Sequence, residues 1–256
     1  MAQTQVIAII NQKGGVGKTT TALNVAAYLQ KEGASVLVVD IDPQGNATSG
    51  LGADKNKQNN TIYDVLLGNA SVDEAVVEVL PAGITLLPAN AHLAAIEIEL
   101  ADKPKREFVL QKALSSATYD YILIDCPPAL GLLTINALVA ARWVFIPVQT
   151  EYYALEGLGQ LLDVMQRVRS GLNPSLELLG VCATMFDRRT SLSDSVYKEL
   201  QKHFGDKLFN TFIPRNIRLA EAPSFGKTIL EHDKWSKGAR AYKQLAKELQ
   251  KRTDGQ

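Results

Sequence analysis

The amino-acid sequence predicts an α/β fold, a doubly wound and mostly parallel sheet with helices on both faces. Three observations predict it. Short, uninterrupted apolar runs recur along the 256 residues and alternate with segments of helical apolar spacing, the pattern of strands covered on both sides. A glycine-rich loop follows the first run at once and opens the first helical segment. Two later runs end in aspartate, at the sheet edge where open α/β folds bind ligands.

The first run, Val6-Ile7-Ala8-Ile9-Ile10, has strand length and carries no charge. Lys13-Gly14-Gly15-Val16-Gly17-Lys18-Thr19-Thr20 follows, and Ala22, Val25, Ala26 and Leu29 then recur at helical spacing. Strand, glycine loop, helix is the context in which Gly-Lys-Thr cradles phosphate, so the fold class narrows to a P-loop NTPase. Glycines let backbone N–H groups converge on phosphate oxygens, and the helix start adds the positive end of its dipole. Lys18 supplies a mobile ammonium for the outer phosphates, and the Thr19 hydroxyl can complete a Mg²⁺ shell. One position departs from the common G-x-x-x-x-G-K-[ST] form: Gln12 stands where the first glycine would be, and a second lysine, Lys13, follows it.

Residues 35–40 are the next strand, followed by Ile41-Asp42-Pro43-Gln44-Gly45-Asn46. Residues 54–60 are a polar loop, and Ser71-Val72-Asp73-Glu74 is a capping box opening a helix. A strand at 84–87 precedes helices at 91–100 and 106–115. The buried strand 121–125 ends in Asp125 and the rigid Cys126-Pro127-Pro128 turn. Strands at 143–148 and 178–183 flank a helix at 155–168, and a further strand leads into Ile213. The last helix, 237–252, sets Ala239, Tyr242, Leu245, Ala246 and Leu249 on one narrow stripe. Such a stripe suits docking on its own domain better than insertion into a bilayer. Neither a repeat nor a linker divides the chain, so one domain over residues 1–256 is expected.

Composition narrows the setting. Apolar residues make up 46%, ordinary for a globular chain, and no apolar run approaches the ~20 residues that span a bilayer. The first strand starts so early that no signal peptide or preceding DNA-binding module is expected. Cys126 and Cys182 lack C-x-x-C spacing, which argues against a disulfide framework or zinc site and for a cytoplasmic protein. The net charge is zero but unevenly spread: Phe186 onward holds 15 basic and 9 acidic residues, leaving 12 basic and 18 acidic before it. The imbalance points to an electropositive face in the C-terminal third. A solvated, lysine-rich surface explains the charge alone equally well.

Carboxylates complete the candidate site. Asp125 closes an apolar strand near the glycine loop, the arrangement in which an aspartate holds Mg²⁺ directly or through water. Asp40 and Asp42 lie two residues apart and share one side if their strand persists. One could serve the metal and the other orient a water; spacing does not decide which.

The Lys13–Thr20 loop resembles the deviant Walker A loop of the ParA/MinD group of P-loop ATPases. The resemblance extends over nearly the whole chain and is closest to the chromosomal ParA (Soj) branch. It implies an ATPase using ATP and Mg²⁺, with Lys13, Gly14, Gly15, Val16, Gly17, Lys18, Thr19 and Thr20 at the phosphates. Asp40-Ile41-Asp42-Pro43-Gln44-Gly45-Asn46 matches the group's D-x-D-P-Q-G-N segment. By that match Asp42 positions the attacking water and Asp40, with Thr19 and Asp125, belongs to the Mg²⁺ shell. Lys13 is expected to reach across an ATP-dependent homodimer to the partner's phosphates. A cation supplied in trans gives ~10³–10⁵ in rate in other NTPases. Pro214 and Asn216 are expected at the adenine.

Asp187-Arg188-Arg189-Thr190 and residues 213–227 are similar to segments of the Soj branch, which implies that Arg189 and Arg218 contact double-stranded DNA without sequence preference. The expected protein is a nucleoid-associated DNA-partitioning switch whose hydrolysis a ParB-type centromere-binding partner stimulates. A membrane-associated MinD-type positioning ATPase is the alternative, but residues 251–256 lack the large apolar side chains of a membrane-binding tail, so no membrane partner is expected. A related ATPase positioning a protein cargo is a further alternative. The iron–sulfur branch needs paired cysteines from two protomers, which Cys126 and Cys182 do not supply.

Overall fold

Seven strands pair into a sheet in the computed structural model, which describes residues 3–79, 82–152, 155 and 157–255. They are β1 (Gln5–Ile9), β2 (Val36–Asp40), β3 (Val77–Val79), β4 (Ile84–Leu87), β5 (Tyr121–Asp125), β6 (Trp143–Gln149) and β7 (Glu177–Thr184). Their order is β3-β4-β2-β5-β1-β6-β7. All neighbours run parallel except β3 and β4. The sheet is the expected doubly wound one, with an antiparallel edge. Val77-Glu78-Val79 is too short, with a charge at its centre, for apolar pattern to announce β3.

The helices in chain order are α1 (Lys18–Lys31), α2 (Asn46–Gly50), α3 (Ile62–Leu67), α4 (Val72–Ala75), α5 (Ile96–Glu99) and α6 (Val109–Leu114). They continue with α7 (Leu132–Ala140), α8 (Leu158–Gly171), α9 (Ser191–Phe204), α10 (Ile217–Glu221), α11 (Ile229–His232) and α12 (Lys237–Thr253). Alternate strand residues feed two cores. Ile7, Ile9 and Val38 pack with Leu23 of α1 and Tyr242 and Leu245 of α12. Ala8, Leu37 and Val39 face the other way, toward Leu138 of α7 and Leu161 of α8. Every predicted apolar position on the α12 stripe is buried, and Tyr242 Oη lies 3.2 Å from Thr21 Oγ1 of α1. Among the described residues, no helix is long and apolar enough to cross a membrane.

Four local readings are corrected. Residues 91–100 begin as a 3₁₀ turn, Ala91–Ala95, before α5, and 106–115 likewise begin with Arg106–Phe108 before α6. The helix expected from 155 starts at Leu158; Glu156 lies outside the described residues, as do residues 1, 2 and 256 of the expected domain. The strand expected before Ile213 does not form. Phe209 and Ile213 donate to the β7 carbonyls of Val181 and Ala183. Between them the Glu248 carboxylate of α12 accepts the Asn210 and Thr211 N–H groups at 2.8 and 3.0 Å, withdrawing both from any ladder. The Ser71–Glu74 capping box does form, on a helix of only four residues.

Candidate active site

β1 sits between β5 and β6 and delivers the chain to the glycine loop at the C-terminal edge of the sheet. Asn11 anchors the loop's entrance, donating to the Pro147 carbonyl at 2.8 Å and accepting from the Lys13 N–H at 2.9 Å. Thr184, ending β7, donates to the Val16 carbonyl at 2.8 Å. Gly15 and Gly17 have φ of 74° and 93°, conformations that side chains strain to adopt. A Cβ built on Gly14, Gly15 or Gly17 would meet no atom within 4 Å, so the bare backbone faces an open bowl. Gly17 caps the 14-residue α1 without a side-chain bond, leaving the first N–H groups for a ligand.

Three carboxylates surround this loop. Asp40 and Asp125 are direct neighbours in the β2–β5 pairing. The Asp40 carboxylate accepts the Thr48 N–H and hydroxyl at 2.8 and 2.7 Å and the Asp42 N–H at 3.2 Å. Burial nevertheless pushes its pKa up to about 6. Asp125 accepts the Thr19 hydroxyl at 2.7 Å on one oxygen. Its other oxygen is buried without a partner, and burial together with the Asp40 charge holds the group well above the usual carboxylate range. Lys18 is buried beside them, donating to the Lys13 carbonyl at 3.2 Å. Burial lowers its pKa against the opposing pull of Asp125 and Asp42.

The donors fit Mg²⁺: a threonine hydroxyl, an orphaned carboxylate oxygen, and two crowded acids that a divalent cation would relieve. Among the described residues, no three His, Cys, Asp or Glu side chains gather to hold a metal alone. Mg²⁺ takes one or two carboxylates and fills its shell with water and phosphate oxygens.

Asp42 is placed differently from the expectation of a persisting strand. β2 ends at Asp40, and Asp42 opens a turn in which its carbonyl accepts the Gly45 N–H and its carboxylate the Gln44 N–H. The turn aims Asp42 into a cavity of about 600 Å³ whose walls include Gly14, Gly15, Lys18 and Thr19. A second cavity of about 180 Å³ continues past Gly17 and Thr20 to Pro214 and Asn216, and the Asn216 Oδ1 there is buried with no hydrogen-bond partner. The structure thus brings together the loop, all three aspartates and the expected adenine residues.

Lys13 stands apart. Its ammonium pairs with Glu151 just after β6, at 2.8 Å, with both side chains half-exposed; Gln149 donates to the same carboxylate. Asn11, Thr48, Glu151 and Thr184 are the functional neighbours that sequence reasoning missed. Each acts on a residue distant in the chain or through the backbone, and no local spacing marks them.

The two arginines expected at DNA lie on a separate, exposed face. Arg189 makes a bidentate pair with Asp187 at 2.9 and 2.7 Å, whose hydrogen bonds lower the Asp187 pKa to about 2. Arg218 pairs with Glu221 at 2.9 Å and reaches Asp233 at 3.7 Å. Beside Arg189 runs a groove of about 700 Å³ lined by Arg188, Arg215, Ile217 and Lys237 among others. Arg188 stacks over Phe212 at 5.0 Å. Pro214 and Arg215 line both this groove and the smaller nucleotide-side cavity.

A backbone contact joins the two faces again. Behind Asp42, α2 leads to Gly52, which lies against Gly226 so closely that a Cβ on Gly226 would approach Gly52 Cα to 2.6 Å. Both glycines have positive φ, 83° and 61°. Gly226 is therefore required by conformation and by space, and Gly52 by conformation, with a Cβ there making a tight 3.1 Å approach to the Gly226 carbonyl.

A family model described as an AAA domain (AAA_31) matches residues 4–178. With the glycine loop, the edge carboxylates and the doubly wound sheet, it defines a P-loop ATPase. The chain is 50% identical over 249 residues to the chromosome partitioning protein ParA of Caulobacter vibrioides, covering 96% of this chain and 93% of that one. It is 52% identical over 251 residues to the chromosome-partitioning ATPase Soj of Thermus thermophilus, covering 98% and 97%. It belongs to the ParA/Soj family of chromosome-partitioning ATPases. A solved structure described as cobyrinic acid a,c-diamide synthase from Mycobacterium smegmatis, with bound ADP and magnesium, superposes with a TM-score of 0.88. The two are 38% identical, with 99% of this chain and 97% of that one covered.

Proposed function

We propose that the chain is a single ATPase domain over residues 1–256 and works as an ATP-driven DNA-partitioning switch. ATP is the substrate and Mg²⁺ the cofactor, in keeping with the nucleotide and metal named for the Mycobacterium structure. Backbone N–H groups from Gly14 to Thr20 bind the phosphates, and Lys18 neutralises the outer ones. Thr19 and Asp125 would hold Mg²⁺ with Asp40 behind them; bound there, the ion would offset charge on the phosphate oxygens. Asp42, fixed by the Gln44 N–H, orients the attacking water. The unpaired Asn216 Oδ1, beside Pro214, accepts the amino group of adenine.

Two such protomers close on ATP as a sandwich. Lys13 leaves Glu151 and reaches the partner's phosphates, so the dimer lasts while the γ-phosphate does. A unit-charge pair ~4 Å apart at an effective dielectric near 20 interacts by roughly 4 kcal/mol, enough to link nucleotide to dimerisation. The dimer binds duplex DNA without sequence preference through Arg189, Arg218 and the cationic groove that Arg189 and Ile217 line. A ParB-type partner stimulates hydrolysis and release, and the protein resides in the cytoplasm on the nucleoid.

The observation that supports this reading is the shared wall: Pro214 and Arg215 line the small cavity beside the glycine loop on one side and the cationic groove on the other. DNA binding measured with ATP, ADP and no nucleotide, with Lys18→Ala as control, tests it. Binding only with ATP, lost in Lys18→Ala, is expected; binding indifferent to nucleotide refutes the switch. Sedimentation of Asp42→Ala with ATP should show a dimer, and a monomer there refutes the sandwich.

A further inference from the structure

We infer that the exposed aromatic rim around Arg218, centred on Trp235, is an apolar contact surface for duplex DNA beside the phosphate-binding cations. The inference rests on the DNA-binding reading above and extends it to side chains that carry no charge.

Three large apolar side chains stand in water here: Ile217, Phe225 and Trp235 are 76%, 64% and 79% exposed. They form one tract. Ile217 lines the cationic groove and precedes Arg218. Arg218 bonds Glu221 and approaches Asp233. The Glu221 carboxylate also lies 3.6 Å from His232 Nε2, and Phe225 stacks on that imidazole with centroids 5.1 Å apart. Asp233 in turn accepts the Trp235 N–H at 3.1 Å. Trp235 is therefore carried on a braced turn, immediately before Ser236, which caps α12.

Charge selects the occupant. Arg188, Arg189, Arg215 and Lys237 line the groove with Ile217 and Asp187, and Arg218 and Lys234 stand at the tract with Glu221 and Asp233. The surplus is positive, and Lys234 Nζ stands 5.3 Å from the indole centroid. A cationic groove continuous with a rigid apolar ridge matches a phosphate backbone next to the sugar and base edges of a DNA groove. There aromatic and aliphatic side chains gain contact area that phosphate alone does not offer.

The protein has two tryptophans. Trp143 is half-buried and donates to Gln5 at 2.8 Å, so Trp143→Phe leaves Trp235 as sole reporter. With ATP, a mixed-sequence duplex should shift and quench Trp235 emission. Trp235→Ala should weaken binding by roughly tenfold, the scale of partly burying one large apolar side chain, while its melting temperature and the slope of log affinity on log salt stay those of wild type. The slope counts phosphates, which an indole does not contact. Wild-type binding with silent Trp235 emission, with Trp235→Ala equal to wild type, or with a shallower slope in that variant overturns the inference. Anionic phospholipid vesicles shifting the emission where DNA does not would assign the rim to a lipid surface and overturn it too. Failure of wild type itself to bind duplex with ATP would instead sink the DNA reading, and the inference with it.

Discussion

The nucleotide end and the cationic face handle charge in opposite ways. At the nucleotide end Asp40, Asp125 and Lys18 are buried, their pKa values displaced by lost hydration, and one carboxylate oxygen has no partner. On the cationic face Arg189 and Arg218 stand in water, each holding a neighbouring carboxylate. Buried charges are expensive and therefore fixed in place, awaiting a counter-ion; exposed pairs are weak and easily exchanged. One region suits a small, densely charged ligand; the other presents exposed cations whose carboxylate partners are easily exchanged.

The largest expected effect breaks the buried side. Lys18→Ala should lower ATP turnover by roughly 10³-fold, the scale of losing a preorganised group at a charged transition state, measured by phosphate release. A pH titration sharpens the same side. Asp40 rises from 3.8 to about 6 on folding, so the folded state holds the extra proton between these values. Stability contributed by this group, shared with Asp125, is full below pH ~4 and lost as pH climbs through ~6 without nucleotide and Mg²⁺. Melting curves of wild type against Asp40→Asn should show that difference, and saturating Mg²⁺-nucleotide should reduce it.

Asp42→Ala comes next, with turnover down by roughly 10² as the water loses its orienting group. ATP affinity should be kept, since the phosphates are bound by the loop. The exposed side is tested by charge reversal. Among the described residues Arg215 has no ion pair, whereas Arg189 is clasped by Asp187. Arg215→Glu should therefore weaken DNA binding more than Arg189→Glu, by roughly tenfold, with the salt slope shallower by ~0.9 for a lost phosphate contact. Gel shifts at several salt concentrations read both. The smallest change is Glu151→Ala: an exposed pair contributes under about 1 kcal/mol, so melting should barely move, while ATP-dependent dimerisation strengthens modestly because Lys13 is released.

The same contrast explains how much sequence could show. The glycine loop, Asp40 and Asp125 were legible because a strand fixes the position of its own end: Ile9, Asp40 and Asp125 lie in adjacent register at one edge. Asp42 was legible as a site residue but not in its placement, since the Asp40–Asp42 spacing does not reveal that the strand stops between them. Thr48 was invisible, because its importance lies in bonds to Asp40 and the Ala89 N–H across the fold. Glu248 overruled a strand from α12, 37 and 38 positions beyond the amides it binds. The excess of cations after Phe186 was plain in the composition, but its gathering beside exposed Ile217, Phe225 and Trp235 depends on tertiary contacts no local window contains.

Gly52 and Gly226 give the molecule a bearing with no clearance. The stretch behind Asp42 and the stretch behind Phe225 touch main chain to main chain, so neither can shift toward the other by even a methyl's width. A displacement of the Asp42 turn that carried α2 and Gly52 toward Gly226 would press main chain on main chain. Saturation mutagenesis should find Gly226 intolerant of any side chain and Gly52 tolerant of few.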